Sequence, residues 1–303
     1  MTQIIIVGGV SYNTMVYLDT LPEPHSQTLF PCGFHETIGA TGAGKALNLR
    51  KLGYNIVLHA PIGDDTYGQA IIDYFAQNDV PFLFDIDPAG TQRHLNVMDS
   101  SGQRLSIFLN PGTFDLNFDE ERLEGFIAES EQVILNINNY CRRLIPTLQR
   151  YRKPIWCDIH DYDGAKPYHQ DFIRAADYLF LSSEALPNYR GFMEQMIAQG
   201  KHLVICTHGA QGSTALSARG EWIETPIIDT YILRDSNGAG DAFFSGVFYG
   251  HLQGYTPQQC LRLGTLVGGL CITSNELASE QMSRPFIEAE YHRVYGETLS
   301  SAE

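Results

Sequence analysis

One stretch of the chain combines residues that do chemistry with residues that clear space for it: Arg234-Asp235-Ser236-Asn237-Gly238-Ala239-Gly240-Asp241-Ala242-Phe243-Phe244-Ser245-Gly246. Gly238 and Gly240 remove side chains where a backbone must come close to a ligand. From Ala242 onward, Phe243, Val247 and Phe248 supply the apolar face of a helix. The turn thus presents bare N–H groups at a helix amino end, which is an anion site. Phosphoryl transfer needs such donors, aimed at the oxygens where charge collects as the group moves. Asp241, in the first helical turn, is placed to take the proton of an attacking hydroxyl, and the helix end favours its ionised form. Taken alone, an Asp after a glycine-rich turn is a helix cap more often than not. The stretch is no dinucleotide fingerprint, because G-x-G-x-x-G needs glycine where Phe243 stands.

A second glycine-rich stretch, Gly39-Ala40-Thr41-Gly42-Ala43-Gly44-Lys45-Ala46, matches the phosphate-binding loop G-x-x-x-x-G-K-[ST] through Lys45. That loop needs a hydroxyl at the next position to hold magnesium, and Ala46 has none. A nucleotide hydrolase depending on Lys45 is the corresponding alternative function. Asp158, His160 and Asp161 cluster after the apolar run Pro154 to Ile159. They read either as groups near metal or phosphate, or as a solvated turn. The ten histidines show no H-x-x-x-H metal spacing, and no G-x-S-x-G elbow occurs. Thr256-Pro257 reads as a helix start.

The elements that must position these residues follow from hydrophobic periodicity. Short apolar runs at Gln3 to Val10, Ile56 to Ala60, Gln132 to Ile137, Pro154 to Ile159, Tyr178 to Leu181 and Leu203 to Thr207 suit buried parallel strands. Helical spacing lies between them, at Ala43 to Leu52, Tyr67 to Asn78 and Phe192 to Gln199. This alternation predicts an α/β fold, a parallel sheet with helices on both faces, whose ligands sit beyond the strands' carboxyl ends. Residues 15–38 and 91–109 break the rhythm. His94 to Asp99, the turn Ser100-Ser101-Gly102, and Arg104 to Phe108 read as a hairpin. The inserts form either an antiparallel extension of the sheet edge or, as favoured here, a small β lid over the crevice. One domain spanning residues 1–303, with an inserted lid, is the expected organisation; an exposed lid can also pair two subunits as a homodimer.

Of the chain's 303 residues, 20 are basic and 35 acidic, a net charge of −15. Such a surface repels nucleic acid and anionic lipid, so neither is an expected partner, and bound phosphate needs local donors, a metal ion or placed cations. The apolar fraction is 44% and the charged fraction 18%, enough for a sizeable core. Six dispersed cysteines read as reduced, mostly buried thiols. With no signal-like leader and no membrane-length apolar run, a cytoplasmic location is expected.

Asp235-Ser236-Asn237-Gly238-Ala239-Gly240-Asp241 closely resembles the D-T-x-G-A-G-D signature of the ribokinase-like (PfkB) sugar kinases. Gly8-Gly9-Val10 and Leu18-Asp19-Thr20-Leu21-Pro22 look like that family's first strand and its exit to the lid. Gly39 to Ala46 is similar to its G-G-x-G-x-N-x-A segment, Leu52-Gly53 and Gly63-Asp64-Asp65 follow at family-like spacing, and Thr207-His208-Gly209-Ala210-Gln211-Gly212 matches T-x-G-x-x-G. The resemblance implies transfer of the γ-phosphoryl group of ATP, with Mg²⁺, to a hydroxyl of a small sugar-like acceptor. It implies Asp241 as the base and the amides of Gly238, Ala239 and Gly240 as the anion hole. Thr207, Gly209, Gly212 and Asn237 are then the nucleotide-binding residues, and K⁺ lies near Asp235. The expected acceptor pocket is Asn13, Gly39, Ala40, Gly44 and Lys45, together with Asp241.

The chain departs from the family pattern in several places. Asn13 stands where many members carry an acceptor-binding Asp on the first strand. The Asn of G-G-x-G-x-N falls on Gly44, with Lys45 beside it. These exchanges put ribose recognition in doubt. One reading is an anionic acceptor such as a phosphosugar, held by Lys45 with Arg93 or Arg104; the other is that these are solvated cations. Leu181-Ser182-Ser183-Glu184 only approximates the family's N-x-x-E, leaving Glu184 as the candidate for the outer metal shell. A nucleoside kinase of the same fold and a non-catalytic ligand-binding member are further alternatives.

Overall fold

The computed structural model describes residues 3–300. Its large sheet contains β1 (Gln3–Val7), β4 (Asn55–Ile62), β5 (Phe82–Ile86), β8 (Gln132–Leu135), β9 (Ile155–Asp158), β10 (Tyr178–Ser182), β11 (Leu203–Thr207), β12 (Ser213–Ser217) and β13 (Trp222–Thr225). They lie in the order β13-β12-β11-β10-β9-β8-β1-β4-β5. All pairs are parallel except β11–β12 and β12–β13. β1 shows why the runs are continuously apolar: Ile4 and Ile6 point into one core and Ile5 and Val7 into another, all fully buried.

The first core packs under α1 (Thr41–Lys51), α2 (Thr66–Gln77), α8 (Ala239–Leu252), α9 (Pro257–Cys271) and α10 (Arg284–Tyr295). The second packs under α3 (Glu120–Glu129), α4 (Asn139–Arg142), α5 (Ile145–Tyr151), α6 (Gln170–Ala175) and α7 (Tyr189–Ala198). The expected sheet wrapped on both faces is what forms. Local signals set the helix ends. Asp65 and Asp119 cap α2 and α3, and Thr256 with Gln259 makes a capping box at α9, confirming Thr256-Pro257 as a helix start. None of the described helices is long and apolar enough to cross a membrane.

The inserts form a separate four-stranded sheet in the order β3-β2-β6-β7, from β2 (Ser11–Tyr17), β3 (Gly33–Gly39), β6 (Arg93–Met98) and β7 (Arg104–Asn110). It therefore starts before residue 15, and it is a lid rather than an extension of the main sheet's edge. The chain leaves the main sheet at Gly8, whose φ of 148° breaks the strand, and Asn13 consequently belongs to the lid rather than to the first strand. Burial alternates along β2, because Asn13 and Met15 face inward while Thr14 and Val16 face out.

Candidate active site

α8 begins at the glycine turn. Gly238 is its N-cap with φ 82°, a left-handed conformation that glycine adopts without strain. The amide of Ala239 is taken by the Ser236 carbonyl at 3.2 Å. The amides of Gly238 and Gly240 donate to no acceptor among the described residues. A Cβ added to Gly240 would meet nothing within 4 Å, and both glycines line the main cleft. The open donors are thus the glycine amides at the amino end of α8, narrower than the three-amide hole expected from sequence.

Asp241 lies one residue further, lining the same cleft and largely buried. Its Oδ1 accepts a bond of 2.5 Å from the Lys45 ammonium, which has no exposed surface. The same ammonium stands 3.7 Å from Asp158 and 4.9 Å from the centre of the Phe244 ring. Burial raises the pKa of Asp241, and Lys45 opposes that rise without cancelling it. Burial would lower the Lys45 pKa, but the two carboxylates hold it above the usual lysine range. Asp158, despite burial, is kept below the usual carboxylate range by His160 and Lys45. Gly44 makes room for this arrangement, since a Cβ there would sit 2.7 Å from Asp241 Oδ2.

The resemblance to a phosphate-binding loop at Gly39 to Ala46 does not survive the geometry. Gly42 donates to the Gly9 carbonyl at 3.0 Å, Gly44 donates to Ala40, and Lys45 is held by carboxylates. Lys45 is also not a free cation for an anionic acceptor. Arg93 lies over the Tyr67 ring at 4.0 Å and near Glu36, leaving Arg104 as the member of the three that lines the cleft.

The cleft encloses about 1000 Å³ between the carboxyl ends of the main strands and the inner face of the lid. Asn13 and Asn96 line its lid side, both buried; the Ser11 hydroxyl donates to Asn13 Oδ1 at 2.7 Å and the Ser106 hydroxyl to Asn96 Oδ1 at 2.6 Å. Gly39 does not line the cleft; it is needed because a Cβ there would lie 1.9 Å from Asn13 Nδ2. Ala40 does line it, with φ 68° and ψ 162°, a region almost reserved for glycine. His94 also lines it, its Nε2 has no partner, and burial followed by Arg104 holds its pKa down to about 4. Phe108, Phe114 and Tyr168 add aromatic surface.

At the other end, Thr207, Asn237 and Glu184 line the cleft, whereas Gly209 and Gly212 do not. Gly212 serves packing: with φ 93°, its Cβ would fall 2.2 Å from the Thr225 carbonyl. Asp235 is buried outside the cleft, where Oδ1 accepts from the Asn237 amide at 2.7 Å and Oδ2 from the Tyr17 hydroxyl at 2.6 Å. A second lid contact, Ser236 hydroxyl to Gly102 carbonyl at 2.8 Å, pins the β6–β7 turn onto the same loop.

Comparison with known proteins gives the family. The family model for pfkB family carbohydrate kinases matches residues 13–283. The chain belongs to that family. It is an ATP-dependent phosphotransferase acting on a hydroxyl of a sugar-like acceptor, and kinases of this family use ATP and generally a divalent metal. A relative named acarbose 7(IV)-phosphotransferase, from Actinoplanes sp., is 30% identical over 285 residues, covering 90% of this chain and 92% of the relative. The solved structure of a microbiome-derived acarbose kinase, Mak1, superimposes with a TM-score of 0.86 at 26% identity, covering 96% of this chain and 99% of that one. A nucleoside kinase from Burkholderia thailandensis superimposes with a TM-score of 0.80 at 18% identity, covering 98% and 100%; it shows the shared ribokinase-like fold.

Asp241, Asn237, Thr207, Glu184, Asn13 and Ala40, singled out from the sequence, all line one cleft. Sequence reasoning missed the pairing of Lys45 with Asp241, 196 residues apart, and the part of Asp158 in holding that lysine. A lysine set between small residues, with Leu47 and Leu49 following, was the available signal for a buried cation.

Proposed function

We propose that this kinase transfers the γ-phosphoryl group of ATP to a hydroxyl of an acarbose-like oligosaccharide, with Asp241 as general base. The observation that carries this reading is a partly desolvated carboxylate beside open glycine amides, in the wall of a cleft that a lid covers. Burial raises the basicity of Asp241, which suits proton abstraction near neutral pH. The acceptor O–H gives its proton to Asp241 as its oxygen bonds to the γ-phosphorus, and the bond to the ADP oxygen breaks. The amides of Gly238 and Gly240 receive the charge on the moving group, and the lid excludes water.

Thr207 and Asn237 serve the nucleotide end. The donors there suit Mg²⁺ carried mainly by phosphate and water, with Glu184 in its outer shell, because no cluster of three acidic, His or Cys ligands occurs among the described residues. Such an ion neutralises phosphate charge. Asp235 is a buried carboxylate with no cationic partner among the described residues, which suits K⁺ beside it. The acceptor end is Asn13, Ala40, Asn96, His94 and the aromatic side chains. Its amides, unpaired imidazole nitrogen and rings fit neutral hydroxyl-rich rings better than a phosphosugar. Two relatives named for acarbose support an acceptor of this kind.

We read the chain as one α/β unit with its lid, cytoplasmic, where ATP is abundant, and without a nucleic-acid or membrane partner given its net charge of −15. The lid's outer face exposes Leu105, Ile107 and Leu109 on β7, whose outer edge pairs with no strand among the described residues. A second copy of the chain, adding its own β7 across a two-fold axis, satisfies both features at once.

The test is ADP release with Mg²⁺, with and without K⁺, on a panel including acarbose, ribose, inosine and a sugar phosphate. Preference for acarbose and stimulation by K⁺ are expected. Preference for inosine would favour the nucleoside kinase reading, and ADP release without any acceptor would favour a hydrolase.

A further inference from the structure

We infer that Lys45 is a positioning residue for the base: hydrogen-bonded to Asp241, with Asp158 standing by as a second counter-ion, it sets the pH at which Asp241 becomes active. This rests on Asp241 being the base. The geometry is specific to such a role. The ammonium has no exposed surface, so it meets neither solvent nor acceptor, and the groups within ion-pair reach are Asp241 at 2.5 Å and Asp158 at 3.7 Å. α1 brings it there because Gly42 lies against the Gly8 and Gly9 carbonyls and Gly44 against the Asp241 carboxylate, both too close for a side chain.

Charge counting explains why two carboxylates share one lysine. Before transfer, Asp158, Lys45 and Asp241 sum to −1, leaving one negative charge available to an incoming proton. After Asp241 takes the hydroxyl proton the sum is zero, and Lys45 still has Asp158, so no buried cation is stranded. Lys45 neither gives nor takes the proton. With one carboxylate alone, the lysine would either silence the base or lose its only counter-ion when the base is protonated. The opposed shifts of the two carboxylates, Asp158 down and Asp241 up, accord with this division.

The other titratable groups facing the trio are few. His160 Nδ1 lies 3.4 Å from Asp158 Oδ2, and the thiols of Cys157 and Cys271 are pushed up by burial and stay neutral. The acid limb of the kcat profile then belongs to Asp241, an assignment that a His160→Asn background tests.

The experiment compares two variants whose predicted effects have opposite signs. Lys45→Met removes the cation and moves the acid limb to higher pH, by about 1–3 units. Asp158→Asn removes the competing anion and moves it to lower pH, by about one unit. Both profiles are repeated in a His160→Asn background, where the opposite movements persist if the inference holds. Should Lys45→Met fail to fold, the downward movement in Asp158→Asn still decides. A ¹³C titration of the Asp241 carboxyl in the free protein reads the same quantity without an acceptor. Limbs that stay put, or move the same way in both variants, overturn the inference. Asp241→Asn separates the two levels: if that variant keeps its turnover, the base assignment itself fails, whereas an inactive Asp241→Asn with unmoved limbs removes only the role of Lys45.

Discussion

Two glycine-rich turns lead into α1 and α8, and the helices they open meet at the contact between Lys45 and Asp241. At the entrance to α1 the glycines are filled space: a Cβ on Gly42 would lie 2.7 Å from the Gly9 carbonyl, and one on Gly44 would touch Asp241. At α8 the open space lies at Gly240, where a Cβ would meet nothing within 4 Å, whereas one on Gly238 would come 3.0 Å from Leu277; both glycines line the cleft. Both turns look like phosphate sites when only glycine and charge are counted. The difference teaches that glycine before a helix marks either close packing or ligand access, and that the neighbours decide which. Here the packed turn serves the open one by placing a cation behind its carboxylate.

The comparison can be broken most severely at the carboxylate. Asp241→Asn is expected to lower kcat by roughly 10²–10⁴-fold with little change in ATP affinity, as measured by steady-state kinetics and nucleotide titration. Gly44→Ala comes next. Displacing the carboxylate should lower kcat by about 10²-fold while the KM for ATP holds, and wild-type turnover would show that the packed turn does not seat the base.

The remaining tests read stability. Gly42→Ala forces a methyl group against two backbone carbonyls and should destabilise by about 1–3 kcal/mol in denaturant unfolding. Gly240→Ala, facing open space, should leave stability within about 1 kcal/mol of wild type yet weaken ATP use, since its methyl group enters the anion site. Equal stability losses at both positions would erase the distinction between the turns. The smallest effect is expected at Ala40. Its φ of 68° and ψ of 162° strain an alanine, so Ala40→Gly should gain about 1 kcal/mol once the added chain freedom is offset. A lower melting temperature in that variant would mean the alanine methyl group packs usefully against Gly9.

Much of the frame was legible because burial on two faces forces continuous apolar strands, as at Ile4 to Val7, and wrapping helices repeat apolar residues every three or four positions. The lid's alternation at His94 to Phe108 was equally plain. Its first strand was not, because Ser11 to Tyr17 follows β1 with only two glycines and a valine between and reads as its continuation. Gly209 and Gly212 were legible as turn residues but not as residues off the cleft wall, since a turn's sequence does not say which way it faces.

By itself the sequence determined the alternating fold and the turn at Gly238 to Asp241, because both depend on neighbours within a few residues. Only the tertiary structure decided that Lys45 belongs to Asp241 and Asp158 rather than to a ligand, and that Tyr17 and Gly102 close the lid onto the loop at Asp235 and Ser236. These contacts join segments far apart in the chain, and charge in a low-dielectric interior is governed by distance in space, which periodicity does not record.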